Sequence, residues 1–149
     1  MSNKTANALN DLISIARDGK DFYEEAAQKV DDAELKTLFA RIATTKAQIV
    51  GDLSAAVQAA GGKPEDSGTL VGSMQQMYGK IRAAFGDTEY GYVAELEESE
   101  DRLLEAFDEA ARDADTPPAA RDVIVRLLPE VRASHDVMRA RKHAMKNNH

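Results

Sequence analysis

Lys46 and Glu100 are the two residues of this chain best placed to do chemistry. Each interrupts a stripe of apolar residues recurring every three or four positions, the spacing of one helix face. Leu35, Phe39, Ile42, Ile49, Leu53 and Ala56 share the first stripe with Lys46. Val93, Leu96, Leu103, Phe107, Ala110 and Ala114 share the second with Glu100. A charge is costly in an apolar core unless an opposite charge meets it there. The pattern therefore predicts a buried Lys46–Glu100 ion pair, with Tyr23 or His135 supplying further hydrogen bonds. These four residues form a candidate central polar layer. The competing expectation is that one long side chain carries its head group out to solvent.

Other chemistries are poorly supplied. Without Cys there are no thiol nucleophiles, disulfides or thiolate metal sites. No Ser/His/Asp set, P-loop or glycine-rich dinucleotide fingerprint occurs, so no catalytic residue is assigned. His135 flanks the stripe of Val131 and reads as a satisfied or half-exposed histidine before it reads as a ligand. The acidic run Glu95, Glu97, Glu98, Glu100, Asp101 and Glu105 is spread around a helix axis, and only Glu100 falls on the apolar stripe. Arg139, Arg141, Lys142 and Lys146 complement a helix C-terminus. They make too short a patch for nucleic acid, and a net charge of −7 argues the same way.

The elements that must position these groups are helices. Ala, Leu, Glu, Asp and Arg dominate the 149 residues, a length suited to one domain spanning 1–149. Helix 1 is predicted from about Thr5 to Val30, with Leu9, Leu12, Ala16, Gly19, Tyr23, Ala26 and Val30 inward. Helix 2 follows from about Ala33 to Ala60, stopped by Gly61-Gly62. Helix 3 carries the Glu100 stripe. Helix 4 runs from about Pro118 to Ala144, with Ile124, Leu127, Val131, Ser134 and Met138 inward and a kink expected at Pro129.

The chain also repeats itself. Tyr23-Glu24-Glu25-Ala26-Ala27 returns as Phe107-Asp108-Glu109-Ala110-Ala111. Each copy ends a helical pattern before a polar break, Asp31-Asp32 or Asp115-Thr116-Pro117-Pro118. Two helical hairpins joined by a long connection describe an all-α four-helix bundle. Within the connection Leu70, Met74, Met77, Ile81 and Phe85 recur at helical spacing, which predicts a crossover helix from about Thr69 to Phe85, capped by Asp66 or Ser67. Such a crossover sets helices 2 and 3 parallel, the topology of ferritin-like bundles. Gly19 then falls in the layer of Lys46 and Glu100, where it leaves room.

Leu9-Asn10-Asp11-Leu12-Ile13, Arg17-Asp18-Gly19 and Tyr23-Glu24-Glu25-Ala26 together resemble the opening of a bacterial family of unknown function within the ferritin-like superfamily. Gly61-Gly62-Lys63-Pro64-Glu65-Asp66-Ser67-Gly68, with Gly72 following, is similar to that family's crossover, and Glu98-Ser99-Glu100-Asp101 to a stretch of its third helix. The resemblance covers roughly residues 8 to 140. Gln75 and Tyr78 depart from it, standing where a His and a Trp are expected.

The resemblance implies a fold and raises the question of a carboxylate-bridged di-iron centre. That site takes a Glu from each of two helices and a Glu-x-x-His from each of the others. No Glu-x-x-His occurs here: Arg132 precedes His135 at that spacing, Ala140 precedes His143, and Lys146 precedes His149. Lys46 holds the central position of helix 2, and Ala16 and Gly19 offer no ligand atoms on helix 1. No metal and no cofactor is therefore expected.

The leading expectation is a non-catalytic ferritin-like bundle, an oligomerising or partner-binding module. The alternatives are a metal-binding or oxidase protein built on Glu100 and His135, with Tyr23 or Glu24, and a carrier of a small apolar ligand in the bundle core. A homodimer is expected through the crossover residues Met74, Met77, Tyr78, Ile81 and Phe85, or through the outside of helices 1 and 2. An unidentified protein partner would also suit the module. Neither an apolar leader nor a membrane span is read from the sequence, so a cytoplasmic location is expected.

Overall fold

Polar breaks and capping side chains set the helix boundaries. The computed structural model describes residues 3–68 and 88–147. Among the described residues there are four α-helices and no strands: α1 (Lys4–Lys29), α2 (Ala33–Ala59), α3 (Thr88–Arg112) and α4 (Pro118–Asn147). The architecture is a four-helix, all-α bundle. α1 packs chiefly on α2 and α3 chiefly on α4, while α1 also meets α3. The expected crossover helix lies outside the described residues, as do Met74, Met77, Tyr78, Ile81 and Phe85. None of the described helices is long and apolar enough to cross a membrane.

Local chemistry explains each end. Asn3 caps α1 by accepting from the Ala6 amide at 3.0 Å, and Asp32 caps α2 by accepting from the Leu35 amide at 2.9 Å. α2 stops at Gly61, which takes φ +81°, a conformation that favours glycine. The Gly62 amide then bonds the Val57 carbonyl and the Gly61 amide the Gln58 carbonyl, both at 2.9 Å, closing a Schellman motif. At the end of α3, Arg121 reaches back from α4. Its Nε donates to the Ala111 carbonyl at 3.0 Å and its Nη2 to the Asp113 carbonyl at 2.6 Å. α4 starts at Pro118, where a missing N–H costs nothing. It runs unbroken through Pro129 to Asn147, three residues beyond the expected end.

The apolar stripes bury as two clusters rather than one. The first gathers Leu9, Leu12, Ala16, Ile49, Leu53, Leu103, Phe107, Ile124, Leu127 and Val131. The second gathers Phe22, Tyr23, Ala26, Leu35, Phe39, Ile42, Val93, Leu96 and Met138. Between them, on α2 and α3, come Lys46 and Glu100. Three expected core positions fail, among them Ala110, which is only half-buried in the last turn of α3. Ala114 is exposed because α3 has already ended at Arg112. Ala56 is only half-buried, and Val57 takes the inward place at the last turn of α2. Gly19 faces Ser99, whose Oγ would lie 3.6 Å from an added Cβ. That is ordinary contact, so the position does not require a glycine for room.

One feature of the fold is not periodic. The segment after α2 returns along α1 and is held there by side chains one heptad apart. Asn3 donates to the Ala60 carbonyl at 2.8 Å. Asn10 donates to the Lys63 carbonyl at 3.0 Å and accepts from the Glu65 amide at 2.7 Å. Arg17 donates to the Glu65 carbonyl at 3.1 Å. Beyond it the backbone of Gly68 approaches Asp18 so closely that a Cβ there would collide with its carboxylate. Asp18, buried on α1, also meets Arg102 of α3 at 3.6 Å.

Two outcomes test this account. Asn10→Ala removes two of the four strap hydrogen bonds and is expected to lower stability by about 1–2 kcal/mol. It should shift the urea midpoint at constant slope, and an unchanged midpoint would show that the strap is not held this way. Gly19→Ala fills ordinary contact space on a helix interior and is expected to stabilise by about 0.5–1 kcal/mol. A lowered melting temperature would show that the α1–α3 contact cannot take a methyl group.

Candidate functional site

Three helices deliver one polar group each to the bundle centre. α2 brings Lys46, α3 brings Glu100 and α1 brings Tyr23. Lys46 Nζ lies 2.6 Å from Glu100 Oε1, and both side chains are 1 % exposed. Tyr23 is wholly buried, its ring set edge-on to Phe39 with centroids 6.1 Å apart. Neither charged head reaches solvent.

The electrostatics of this layer are unfavourable in a specific way. Burial pushes the Glu100 carboxyl above the ordinary carboxylate range. The Lys46 ammonium and the Tyr23 hydroxyl pull it back without cancelling the cost of desolvation. Burial, and then the neighbouring Glu100 charge, push the Tyr23 phenol well up, so it stays protonated. Satisfaction is incomplete. The ion pair is close but not aligned as a hydrogen bond. Lys46 Nζ, Glu100 Oε2 and the Tyr23 hydroxyl have no aligned hydrogen-bond partner among the described residues. A half-satisfied polar layer of this kind is a cost that the apolar clusters on either side must offset.

His135 does not supply the hydrogen bond to the pair that its place in the sequence suggests. It is buried on α4, but one residue off the stripe of Val131, Ser134 and Met138. Its ring turns to the outer side of α3. Nε2 lies 2.5 Å from Asp101 Oδ1 and Nδ1 lies 3.1 Å from Asp136 Oδ1. Burial alone would lower its pKa. The Asp136 and Asp101 carboxylates outweigh that and hold it above the ordinary histidine value. Glu97 stands in the same neighbourhood, with Lys142 Nζ 3.3 Å from its Oε2. Sequence reasoning placed Glu97 and Asp101 on a solvated face. Their separation of four residues, one helical turn, was the available signal.

The basic residues near the chain's end are also more specific than their composition suggests. Arg141 Nη2 reaches Glu34 Oε1 at 2.6 Å, tying α4 to the first turn of α2. Lys142 ties it to α3.

This centre does not fit a pair of iron ions. Among the described residues its inward carboxylate, Glu100, is already in contact with an ammonium group, and the neighbouring α1 positions, Ala16 and Gly19, carry no donor atoms. A divalent ion placed there would meet a fixed positive charge.

The pair makes a direct prediction. Lys46→Met strands a buried carboxylate and is expected to destabilise by about 3–5 kcal/mol. Lys46→Met combined with Glu100→Leu is expected to recover most or all of that loss. A double-mutant cycle in chemical denaturation measures the coupling, and a coupling near zero would refute the pair.

A family model described as a domain of unknown function (DUF2383) matches residues 4–113, most of the chain. No curated protein and no solved structure matches it.

Proposed function

The chain belongs to the DUF2383 family, and we propose that it is a non-catalytic, ferritin-like bundle acting as an oligomerising or partner-binding module. The observation that carries this reading is the buried contact of Lys46 with Glu100 at the centre of the bundle. In a di-iron bundle that layer holds inward carboxylates and imidazoles around two metals. Here an ammonium group supplies the positive charge that metals would bring.

The ferritin-like reading rests on the internal repeat. α1 with α2, and α3 with α4, form the two halves, each chiefly packed within itself. Tyr23 and Phe107 open the repeated five-residue strings, and each stands fully buried within the last two turns of its helix. A connection of 28 residues between α2 and α3, from Ala60 to Asp87, has the length of a crossover that returns along the bundle. The alternative, oxidase chemistry on Glu100 and His135, requires the imidazole to face Glu100. Both His135 ring nitrogens instead face aspartates.

Ferrous iron added in air to protein purified without chelator is expected to give no ferroxidase activity and no pair of irons per chain. Two irons per chain by elemental analysis, with oxygen consumption, would overturn the reading. For the oligomer, the module is expected to be a homodimer. Light scattering should return twice the 16.2 kDa chain mass, and the monomer mass at high micromolar concentration would count against it.

A further inference from the structure

Glu97 and Asp101 stand one turn apart on α3, so their carboxylates share a face. His135 meets them from α4. One oxygen from each carboxylate and one ring nitrogen of His135 lie within 4.8 Å of one another. Two helices thus converge an imidazole and two carboxylates on a single point outside the central layer. That donor set suits a borderline divalent ion with three protein ligands and one open position.

The arrangement around His135 goes beyond a group of acidic residues. Asp136 holds Nδ1 at 3.1 Å, which leaves Nε2 directed at Asp101, with a Glu97 oxygen in the same cluster. A carboxylate behind an imidazole is the support that orients a metal-binding histidine and raises its basicity. The His135 side chain is 10 % exposed while that of Asp101 is 52 % exposed. The ring is held in place by packing, and the site opens to solvent on the aspartate side.

We propose that Glu97, Asp101 and His135 bind one divalent transition ion of the zinc class, bridging α3 and α4. Metal bonds of about 2.0–2.2 Å in a tetrahedral shell ask for donor atoms roughly 3.3–3.6 Å apart. The 2.5 Å between His135 Nε2 and Asp101 Oδ1 opens to that spacing by rotation of the exposed aspartate. The ion takes the place of the proton shared between those two atoms, and that proton leaves to solvent. Lys142, 3.3 Å from Glu97, is the resident competitor and must swing away. No redox step is involved, and the proposal does not depend on the central ion pair.

The test is isothermal titration of untagged protein with zinc chloride, alongside thermal melts with and without the ion. One zinc per chain is expected, with a rise in melting temperature. Asp101→Asn, at a half-exposed position where folding is not at risk, should weaken binding at least about tenfold, as should His135→Ala. Lys142→Met should tighten it severalfold, a gain that loss of a merely structural salt bridge would not give. Absence of saturable binding would overturn the proposal. So would binding unchanged in both Asp101→Asn and His135→Ala, or binding lost only when His143 or His149 is replaced.

Discussion

A charge that cannot reach water governs this bundle. Lys46 and Glu100 are buried deeply enough that each is tolerable only beside the other. Their contact divides the apolar interior into two blocks, one toward the Gly61 end and one toward the Asp32 end. An unbroken apolar core would be more stable, but it would permit helices to slide. Moving α2 by one turn against α3 would set an ammonium group against leucine and leave a carboxylate alone. A buried polar contact acts in this way as a register mark, the role best attested for such groups in helical assemblies.

Much of the helical framework was legible because it obeys one period. The stripes through Leu9, Leu35, Val93 and Ile124 are the inner faces, and the stop at Gly61 follows from glycine's freedom to take a positive φ; the capping roles of Asn3 and Asp32 came only with the structure. Lys46 and Glu100 stood out because they break that period. What the period cannot tell is where a side chain one position off the stripe will turn. His135 is such a residue. Its ring direction is decided by Asp101 and Asp136, which the pattern assigns to solvent. Asp18 was missed for the opposite reason: its burial depends on Gly68 and Arg102, distant in sequence and on no shared stripe. Ala114 failed because a stripe extended past the helix end has no face to lie on.

The family match stops at residue 113, just before α4. Physically α4 is not dispensable. Ile124, Leu127, Val131 and Met138 fill positions in both apolar blocks, and Arg141 and Lys142 fasten the helix to α2 and α3. A chain ending at the matched boundary would leave Leu103 and Phe107 facing water. A helix whose duty is to cover apolar surface can meet it with many sequences.

The strap along α1 works as a ruler. Seven helical residues advance about 10.5 Å. Asn3, Asn10 and Arg17 stand at those intervals and hold the Ala60, Lys63 and Glu65 carbonyls in turn, while Asn10 also takes the Glu65 amide. Each hold is set for one particular residue of the strap. A single insertion or deletion between Ala60 and Glu65 would put every later carbonyl out of step with its side chain on α1. Gly68 would then no longer arrive at Asp18. This short stretch without secondary structure should accordingly tolerate changes of residue far better than changes of length, the reverse of what is usual for a surface loop.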